Sequence, residues 1–227
     1  MKVIRGNIFT STCQTLVNTV NCFGVMGTGL ALECKYRYPD MYLRYKKICD
    51  NKHFSIGKLY LYKTSDRWIL NFPTKYHWKY ESKKEYIEKG LEKFLDSYRR
   101  KGIQSIAFPL LGTQNGGLLK EESLAILEKY LRDIDIPFEI YEYDPSVQDD
   151  IFHRFRDSVV NLNERALTKL TDLSESKIRK LKDVLESDSI NNMSSLMTLE
   201  GIGESTVEKC FRFALRGNSG EIQLDLF

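Results

Sequence analysis

The pattern of apolar and polar positions predicts an α/β domain over about the first 145 residues. Short β-branched or apolar runs predict strands at Lys2–Arg5, Thr15–Val20, Lys58–Tyr62, Trp68–Asn71, Ser105–Pro109 and Phe138–Tyr143. Helical spacing lies between them, at Gly29–Tyr38, Met41–Asp50, a helix from Ser82 to Arg100, and Lys120–Asp133. The third of these helices begins with Ser82-Lys-Lys-Glu85, which has the pattern of a capping box. The alternation of strands and helices predicts a layered α/β fold with a buried, partly parallel sheet.

The pattern changes after Asp144-Pro145, and from about residue 150 every periodic segment is helical. Polar joints near 171–176 and 187–195 separate these helices. We therefore predict an α/β domain at 1–148, a small all-α domain at 149–217 and a flexible tail at 218–227. No internal repeat is visible in the sequence.

The composition is that of a soluble globular protein, with 42% hydrophobic and 29% charged residues. The N-terminus lacks the apolar core of a signal peptide, and no apolar run approaches membrane-spanning length. The five cysteines and three histidines show no paired short spacing, which argues against a disulfide framework and a metal site. We expect a cytoplasmic protein that needs no metal or cofactor and binds no membrane.

Charge and aromatic residues are concentrated between Lys35 and Lys101. This stretch contains 18 Lys or Arg against 8 Asp or Glu, and 10 of the 13 tyrosines. Cations interleaved with flat rings are typical of a surface for single-stranded nucleic acid. The alternative is a solvated helix face with tyrosines in the core.

Two glycine-bearing loops each follow a predicted strand and precede a helix. The first is Asn21-Cys-Phe-Gly-Val-Met-Gly-Thr-Gly29, and the second is Leu111-Gly-Thr-Gln-Asn-Gly-Gly-Leu118. Glycine lets a backbone approach a ligand closely, and a helix N-terminus favours negative charge. Neither loop fits the dinucleotide or P-loop patterns. Together they indicate a crevice for a diphosphate at the carboxyl ends of the strands.

Three motifs resemble one family. Gly6-Asn-Ile-Phe9, Val17-Asn-Thr-Val-Asn21 and Gly24-Val-Met-Gly-Thr-Gly-Leu-Ala31 resemble a macrodomain, and Asn71-Phe-Pro-Thr-Lys-Tyr-His-Trp78 narrows the resemblance to the DarG type. That family is similar to the antitoxin glycohydrolase that removes ADP-ribose from thymidine in single-stranded DNA and reverses the toxin DarT. The resemblance implies a three-layer α/β/α fold with a mixed sheet over roughly residues 1–145.

The resemblance also implies roles for individual residues. Asn21 should contact the distal ribose, and Lys75 matches the family's catalytic lysine. Asn7, with Ile8 beside it, matches a position that is usually Asp and meets the adenine amino group; an amide oxygen still accepts that hydrogen bond, but without charge. Gly116 stands where related hydrolases carry Asp, which leaves Lys75 as the one chemical group. The diphosphate should lie between two sets of residues, Gly27, Thr28 and Gly29 on one side and Gly112, Thr113, Gln114, Asn115, Gly116 and Gly117 on the other.

Cleavage of the bond between an anomeric carbon and a base nitrogen develops positive charge on the ribose. Lys75 could attack that carbon as a neutral amine, which is the covalent route that we favour, or act as a base on a ribose hydroxyl or water. Both routes need a lowered lysine pKa. Tyr76, His77 and Trp78 follow it as candidate DNA-binding residues, and His77 is also a candidate acid or base.

The C-terminal part has two further motifs. Leu196-Met-Thr-Leu-Glu-Gly-Ile-Gly-Glu-Ser-Thr-Val-Glu-Lys-Cys210 resembles a helix-hairpin-helix, in which Gly201 and Gly203 would hold a DNA phosphate; the alternative is an ordinary tight turn or a protein-docking surface. The last residues, Gln223, Leu224, Asp225, Leu226 and Phe227, resemble the bacterial sliding-clamp-binding peptide; the alternative is that they pack as a core plug.

The leading hypothesis is a DNA ADP-ribosyl glycohydrolase whose substrate is ADP-ribosylated DNA. Its expected partners are a bacterial sliding clamp and a DarT-like toxin, although the C-terminal region does not resemble the longer domains that bind DarT. A non-catalytic reader of ADP-ribose and a hydrolase of ADP-ribosylated protein are the alternatives.

Overall fold

The computed structural model describes residues 2–187 and 189–216, together with the backbone of 223–226. The chain divides into two compact units. The first contains Met1–Glu142 and Gly220–Phe227, and the second contains Tyr143–Ser219.

The first unit contains seven strands and four helices in its described part. The strands are β1 (Val3–Gly6), β2 (Thr15–Asn21), β3 (Tyr60–Lys63), β4 (Trp68–Lys75), β5 (Ile106–Pro109), β6 (Phe138–Tyr143) and β7 (Gln223–Leu226). The helices are α1 (Gly29–Arg37), α2 (Pro39–Asp50), α3 (Lys84–Lys101) and α4 (Lys120–Leu131). Short 3-10 turns lie at Ile8–Thr10 and Gln114–Gly116.

The strands form one sheet in the order β1-β6-β5-β2-β4-β3-β7. Strands β6, β5, β2 and β4 pair in parallel, whereas β3 pairs antiparallel with both β4 and β7. The sheet is therefore mixed. Because β2, β4, β5 and β6 run in the same direction, the segments that follow them leave the sheet at one edge.

Each face of the sheet carries its own hydrophobic core. On one face, Phe72 and Phe108 pack in a cluster with residues of α3 and α4. On the other face, Ile69 and Ala107 pack with residues of α1 and α2. Side chains of successive strand residues point to opposite faces, so β4 contributes Ile69 to one core and Leu70 to the other. The result is the expected three-layer α/β/α arrangement.

Strand β4 is longer than the sequence pattern predicts, since it runs to Lys75 rather than ending at Asn71. Within this extension, Pro73 has no N–H to donate to a ladder. Pairing with β3 ends at Asn71, while pairing with β2 continues past Pro73. The missing N–H of Pro73 therefore leaves no group of β3 unpaired.

The capping box predicted at Ser82-Lys-Lys-Glu85 is wrong. Helix α3 begins at Lys84, and its N-cap residue Lys83 makes no side-chain capping bond. Ser82 is buried and its backbone N–H donates to the carbonyl of Gly116 at 2.8 Å. A tertiary contact with the second glycine loop thus replaces the local cap.

The second unit is helical in its described part, as the sequence predicts. It contains α5 (Phe152–Asn161), α6 (Glu164–Thr171), α7 (Glu175–Glu186) and α8 (Glu204–Ala214), with a 3-10 turn at Met193–Thr198. Asp149 stabilises the start of α5, because its side chain accepts hydrogen bonds from the backbone N–H groups of Ile151 and Phe152. Phe155, Leu181 and Phe211 are among its buried side chains.

The second unit contains a repeat, and the expectation that the sequence has none is wrong. Leu170-Thr-Asp-Leu-Ser-Glu-Ser-Lys-Ile-Arg-Lys180 recurs 29 positions later as Leu199-Glu-Gly-Ile-Gly-Glu-Ser-Thr-Val-Glu-Lys209. Asp172 and Gly201 occupy the same left-handed backbone position, with φ of 57° and 72°. Each copy is a turn followed by a helix, α7 in the first and α8 in the second.

The two copies contact each other reciprocally. Lys209 of the second copy donates to the backbone oxygen of Asp172 at 2.5 Å and to its carboxylate at 2.8 Å. The equivalent Lys180 places its Nζ 2.8 Å from where a Cβ on Gly201 would lie. The buried Leu173 and Ile202 are also equivalent. The repeat is obscured in the sequence because the first copy has Asp172 and Ser174 at the positions where the second has Gly201 and Gly203.

Four residues of the predicted tail have a described backbone. Gln223–Leu226 forms β7, which pairs antiparallel with β3 from Lys63↔Gln223 to Tyr60↔Leu226. The side chains of the clamp-like motif, and Phe227 as a whole, lie outside the described residues. The assignment of 218–227 to a tail and the other domain limits stay predictions.

Candidate functional site

The pairing of β2 with β4 brings two predicted site residues side by side. The register runs regularly from Thr15↔Trp68 to Val20↔Pro73, and a bulge then shifts it so that Asn21 pairs with Lys75. Both residues end their strands at the same edge of the sheet. The backbone N–H of Cys22 continues the contact, since it donates to the carbonyls of Lys75 and Tyr76 at 3.1 and 3.0 Å.

The other asparagines of the two motifs have a structural role. Asn18 and Asn71 are opposite each other in the register and almost fully buried. The side-chain amide of Asn18 donates to Oδ1 of Asn71 at 2.9 Å, and Asn71 donates to the carbonyl of Tyr60 at 3.3 Å. This polar chain spans β2, β4 and β3 inside one core and fixes their register.

Asn21 shapes the first glycine loop. Its Oδ1 accepts hydrogen bonds from the backbone N–H groups of Phe23 and Val25 at 2.9 and 3.3 Å, and its Nδ2 donates to the carbonyl of Val25 at 2.6 Å. Oδ1 is therefore engaged within the loop, whereas Nδ2 has a second hydrogen. The predicted contact with a ribose would use that hydrogen.

Tyr45 of α2 positions Asn21, and sequence reasoning missed it. Its hydroxyl donates to the backbone carbonyl of Asn21 at 2.6 Å, and the side chain is fully buried. Burial raises the pKa of Tyr45, so the hydroxyl stays a donor. The spacing of Met41, Tyr45 and Cys49 indicates a buried helix face but gives no sign of which carbonyl the hydroxyl meets.

The predicted diphosphate residues of the first loop lead into α1. Thr28 is the N-cap of that helix, and Gly29 has a φ of 55°. A Cβ added at Gly27 would meet one atom within 4 Å, a methyl of Val25 at 3.6 Å. The protein therefore leaves space beside Gly27, as the predicted role in binding requires.

The glycines of the second loop pack against the segment before α3 and against the first turn of that helix. A Cβ at Gly116 would lie 2.6 Å from Oγ of Ser82, and one at Gly117 would lie 3.3 Å from the carboxyl carbon of Glu81. At Gly112, where φ is 73°, a Cβ would lie 2.8 Å from a methyl of Ile87. Packing thus accounts for glycine at these three positions, and Thr113, Gln114 and Asn115 lie between them.

Lys75 and Asn115 connect the three segments of the site. The ammonium of Lys75 donates a hydrogen bond to the backbone carbonyl of Asn115. The side-chain amide of Asn115 donates to Oγ1 of Thr28 at 3.1 Å. The end of β4, the second loop and the start of α1 are therefore joined through one residue.

The environment of Lys75 favours a neutral amine more than ordinary solvent does. Burial lowers its pKa from the usual lysine value, because removal of water disfavours the ammonium form. The carboxylate of Glu81 opposes this effect by raising the pKa. Glu81 was not identified from the sequence, since it is separated from Lys75 by five residues with no recognisable motif.

Asn7 and Ile8 follow β1, and both are buried. Oδ1 of Asn7 accepts from the backbone N–H of Phe9 at 3.0 Å, so the predicted hydrogen bond from an adenine amino group would use the second lone pair of that oxygen. In the described part of the chain, Nδ2 of Asn7 has no hydrogen-bond partner. Arg37 of α1 stacks over the Phe9 ring, 3.8 Å from its centre.

Tyr76, His77 and Trp78 lie directly after Lys75 and outside the sheet. Tyr76 and Trp78 are exposed, and His77 is half-buried between aromatic rings. Nδ1 of His77 accepts a hydrogen bond from the backbone N–H of Lys79 at 3.2 Å. The structure gives His77 ring contacts with Phe23, Trp78 and Tyr80.

In the second unit, Gly201 and Gly203 lie in the turn before α8, with Gly203 as its N-cap. A Cβ on Gly203 would meet nothing within 4 Å. Lys177 donates a hydrogen bond to the carbonyl of Gly201. The turn is thus open at Gly203 and has lysine side chains beside it.

The described residues were compared with the requirements of three kinds of feature: a metal site, a reactive or disulfide-bonded cysteine, and a membrane-spanning helix. They contain no cluster of three or more His, Cys, Asp or Glu side chains suited to a metal. All five cysteines are buried and free, and burial raises the pKa of Cys22 and Cys49 to about 12, which keeps both as thiols. The described helices include none with the length and apolar character needed to cross a membrane.

Comparison with known proteins relates this arrangement to one family. The Macro domain family matches residues 17–127. The solved macrodomain of Mycobacterium tuberculosis DarG is 38% identical with a TM-score of 0.58, over 62% of this chain and 97% of that one. Thermosipho africanus DarTG in complex with ADP-ribose is 39% identical with a TM-score of 0.58, over 61% of this chain and 40% of that one.

A curated relative agrees with the structural matches. The DNA ADP-ribosyl glycohydrolase of Thermus aquaticus is 38% identical over 149 residues, which are 64% of this chain and 41% of the relative. The chain thus spans about two fifths of the length of this relative.

Replacing Tyr45 by Phe tests its role at Asn21. The change leaves a buried carbonyl without its donor, and we expect a loss of about 1–3 kcal/mol in the free energy of unfolding. Tyr60→Phe is the matched control, because the Tyr60 hydroxyl is equally buried and has no partner in the described residues. Urea denaturation measures both variants. Equal effects of the two changes would contradict the role of Tyr45.

Proposed function

The chain belongs to the Macro domain family, and on that premise we propose that it removes ADP-ribose from ADP-ribosylated DNA in the cytosol. The observation that carries the proposal is the pairing of Asn21 with Lys75 at the edge of the sheet, with both glycine loops beside them. Relatives named DNA ADP-ribosyl glycohydrolase support the same activity.

ADP-ribose would bind along the edge formed by the two loops. The diphosphate would lie between Gly27, Thr28 and Gly29 on one side and residues 112–117 on the other, where backbone N–H groups and the N-terminus of α1 favour negative charge. The remaining hydrogen of Asn21 Nδ2 would donate to the distal ribose. The segment at Asn7 and Ile8 would receive the adenine.

Lys75 would act on the bond between the ribose and the base. In the covalent route, its neutral amine attacks the anomeric carbon, the base leaves with its electron pair and takes a proton, and water then releases ADP-ribose. In the alternative route, the amine removes a proton from water or a ribose hydroxyl. The lowered pKa of Lys75 supports both routes, since both begin from the neutral amine.

A reader of ADP-ribose without turnover is the second candidate. The observation that favours it is the hydrogen bond from Lys75 to the carbonyl of Asn115, which anchors the side chain as a donor. A substrate panel separates the candidates, with ADP-ribosylated oligonucleotide, ADP-ribosylated protein and free ADP-ribose as its arms. Release from DNA supports the proposed enzyme, release from protein alone supports a protein hydrolase, and binding without release supports the reader.

Lys75→Ala should abolish catalysis and preserve ligand binding. We expect release of ADP-ribose from the oligonucleotide to fall at least about 100-fold, while the Kd for ADP-ribose changes by less than about threefold, because the lysine acts mainly in the transition state. Lys58→Ala is the control, since Lys58 is exposed and also donates to a backbone carbonyl, that of His53 at 2.9 Å. Near-normal release by Lys75→Ala would remove the lysine from the mechanism.

Glu81→Gln should change the pH dependence of the rate. The neutral amine accumulates as the pH rises toward the pKa of Lys75, so the rate should rise over that range. Glu81 raises this pKa, and its neutralisation should therefore move the rising limb to lower pH. Glu85→Gln, an exposed glutamate in the first turn of α3, should leave the limb in place. A shift to higher pH, or none, would refute the contribution of Glu81.

Gly27→Val should weaken ADP-ribose binding at least about tenfold, or 1.4 kcal/mol, and leave the free energy of unfolding nearly unchanged. The protein has space for the side chain there, so the conflict is with the ligand. Gly116→Val is the contrasting variant, because its Cβ would clash with Ser82 and should lower stability as well. Calorimetry measures the affinity of each variant for ADP-ribose, and thermal unfolding measures its stability. Unchanged affinity in Gly27→Val would disprove the assignment of the first loop to the diphosphate.

The partners beyond DNA are also proposals. A DarT-like protein is one, supported by the relative that is a fusion of a DNA ADP-ribosyl transferase with a glycohydrolase. The open turn at Gly203 would contact a DNA phosphate, which suits a role in DNA repair.

A sliding clamp would bind the last five residues. Because Gln223–Leu226 pairs with β3, such binding requires β7 to leave the sheet. The clamp is titrated with the whole protein and with the isolated tail peptide. The difference between the two binding free energies measures the free energy needed to release β7 from the sheet.

A further inference from the structure

Four aromatic side chains form a surface next to the proposed reaction centre. Phe23 comes from the first glycine loop, and His77, Trp78 and Tyr80 come from the segment after β4. We call these four residues the aromatic shelf. Phe23, Trp78 and Tyr80 are 55%, 47% and 67% exposed, although each has a large apolar face. Clustered exposed aromatic rings of this kind mark a binding surface.

His77 holds the shelf together. Its ring centre lies 4.4 Å from that of Phe23, 5.5 Å from that of Trp78 in a stacked arrangement, and 5.3 Å from that of Tyr80. The bond from the Lys79 N–H to Nδ1 fixes the ring. The outer three rings are therefore supported from within and keep an exposed face.

Backbone hydrogen bonds tie the shelf to the reaction centre. The N–H of Phe23 donates to Oδ1 of Asn21, and the N–H of Cys22 donates to the carbonyls of Lys75 and Tyr76. Phe23 is two positions from Asn21, and His77 is two positions from Lys75. A group that binds the shelf thus lies beside whatever Asn21 and Lys75 hold.

Cations accompany the rings. Nζ of Lys79 lies 5.2 Å from the centre of the Trp78 ring. Three of its members, His77, Trp78 and Tyr80, belong to the stretch Lys35–Lys101, in which basic residues outnumber acidic ones by 18 to 8. Flat rings with adjacent cations match the faces of bases joined by phosphates, whereas a protein-binding surface of this size is normally poor in lysine.

Building on the proposed function, we propose that the aromatic shelf stacks on unpaired bases that flank the ADP-ribosylated nucleotide. Phe23, Trp78 and Tyr80 then determine specificity, because only a single strand exposes base faces to them. The enzyme would accordingly prefer a single-stranded polymer to a duplex or an isolated nucleotide. Phe23 and Tyr80 are the additional binding residues in this assignment.

Binding of unmodified oligonucleotides tests the shelf independently of catalysis. We expect a single-stranded DNA of ten nucleotides to quench the fluorescence of Trp78. A duplex of the same sequence should bind at least tenfold more weakly. Trp78→Phe should remove the quenching, because the ring of the remaining tryptophan, Trp68, is covered by the side chain of Lys63, whose Nζ lies 4.1 Å from the ring centre. A duplex that binds as tightly as the single strand overturns the inference.

Side-chain variants separate stacking from charge. Phe23→Ala and Tyr80→Ala should each weaken single-strand binding severalfold, and at least tenfold together, with the salt dependence unchanged. Lys79→Ala should instead reduce the slope of log affinity against log salt by about 0.7, as expected for one phosphate contact. Leu43→Ala, at an equally exposed apolar side chain on α2, is the control. Wild-type affinity in the Phe23 and Tyr80 double variant overturns the inference, and so does failure of the wild-type protein to bind at about 100 μM.

Catalysis supplies the second measurement. We compare kcat/KM for an ADP-ribosylated single strand of ten nucleotides with kcat/KM for an ADP-ribosylated mononucleotide. The ratio of the two values should fall at least tenfold in the Phe23 and Tyr80 double variant, while Leu43→Ala should leave it unchanged. An unchanged ratio in the double variant overturns the shelf alone. Single-strand binding that depends on Phe23 and Tyr80, without release of ADP-ribose from any DNA, supports the shelf and refutes the proposed function.

Discussion

The arrangement of the site depends on the parallel pairing of β2 with β4 and on the bulge that ends it. Regular pairing would place Asn21 opposite Thr74, whose side chain is buried; the shift after Val20 places it opposite Lys75 instead. Lys75 is half-buried there, so its amine reaches the loops while burial still lowers its pKa. The buried hydrogen bond between Asn18 and Asn71 holds the register three residues earlier. A slip of one residue would turn the side chains of one strand to the opposite face of the sheet, so this internal bond helps to determine which residue of β4 lies opposite Asn21.

Much of the fold follows from the sequence because its signals are local. Strand and helix positions in the two predicted domains agree with the structure to within a few residues except at β4, which continues to Lys75. Gln223–Leu226, which was predicted to be part of a flexible tail, forms strand β7. The errors arise where a distant contact decides. Ser82 has the residue pattern of a helix cap but binds the second loop, and the repeat in the second unit is hidden by Asp172 and Ser174 at positions where its other copy has glycine. Propensity describes a segment in isolation, whereas these residues serve a partner far away in the chain.

The site shows the same division. Motifs identify Asn21, Lys75 and the two loops, because each lies in a recognisable run of residues. Tyr45, Glu81 and Phe23 were missed, since each acts through a contact between segments: a hydroxyl from α2, a carboxylate before α3 and a ring from the first loop. The structure also gives a different explanation for the glycines of the second loop. Its glycines suggested close approach of a ligand, yet Ser82, Glu81 and Ile87 already fill the space that side chains would need. The free space lies at Gly27.

Lys75 is subject to two opposing demands in the proposed reaction. As a neutral amine it has an electron pair for the ribose or for a proton, and burial favours that form. As an ammonium it bonds to the carbonyl of Asn115 and is stabilised by Glu81 and by any bound diphosphate. The loop that carries Asn115 is itself bonded to Thr28, at the start of the helix that would face the diphosphate. In the proposed complex, a diphosphate between the loops would lie close to Asn115 and would favour the ammonium form of Lys75, so the charge of the substrate and the burial of the lysine act on its pKa in opposite directions.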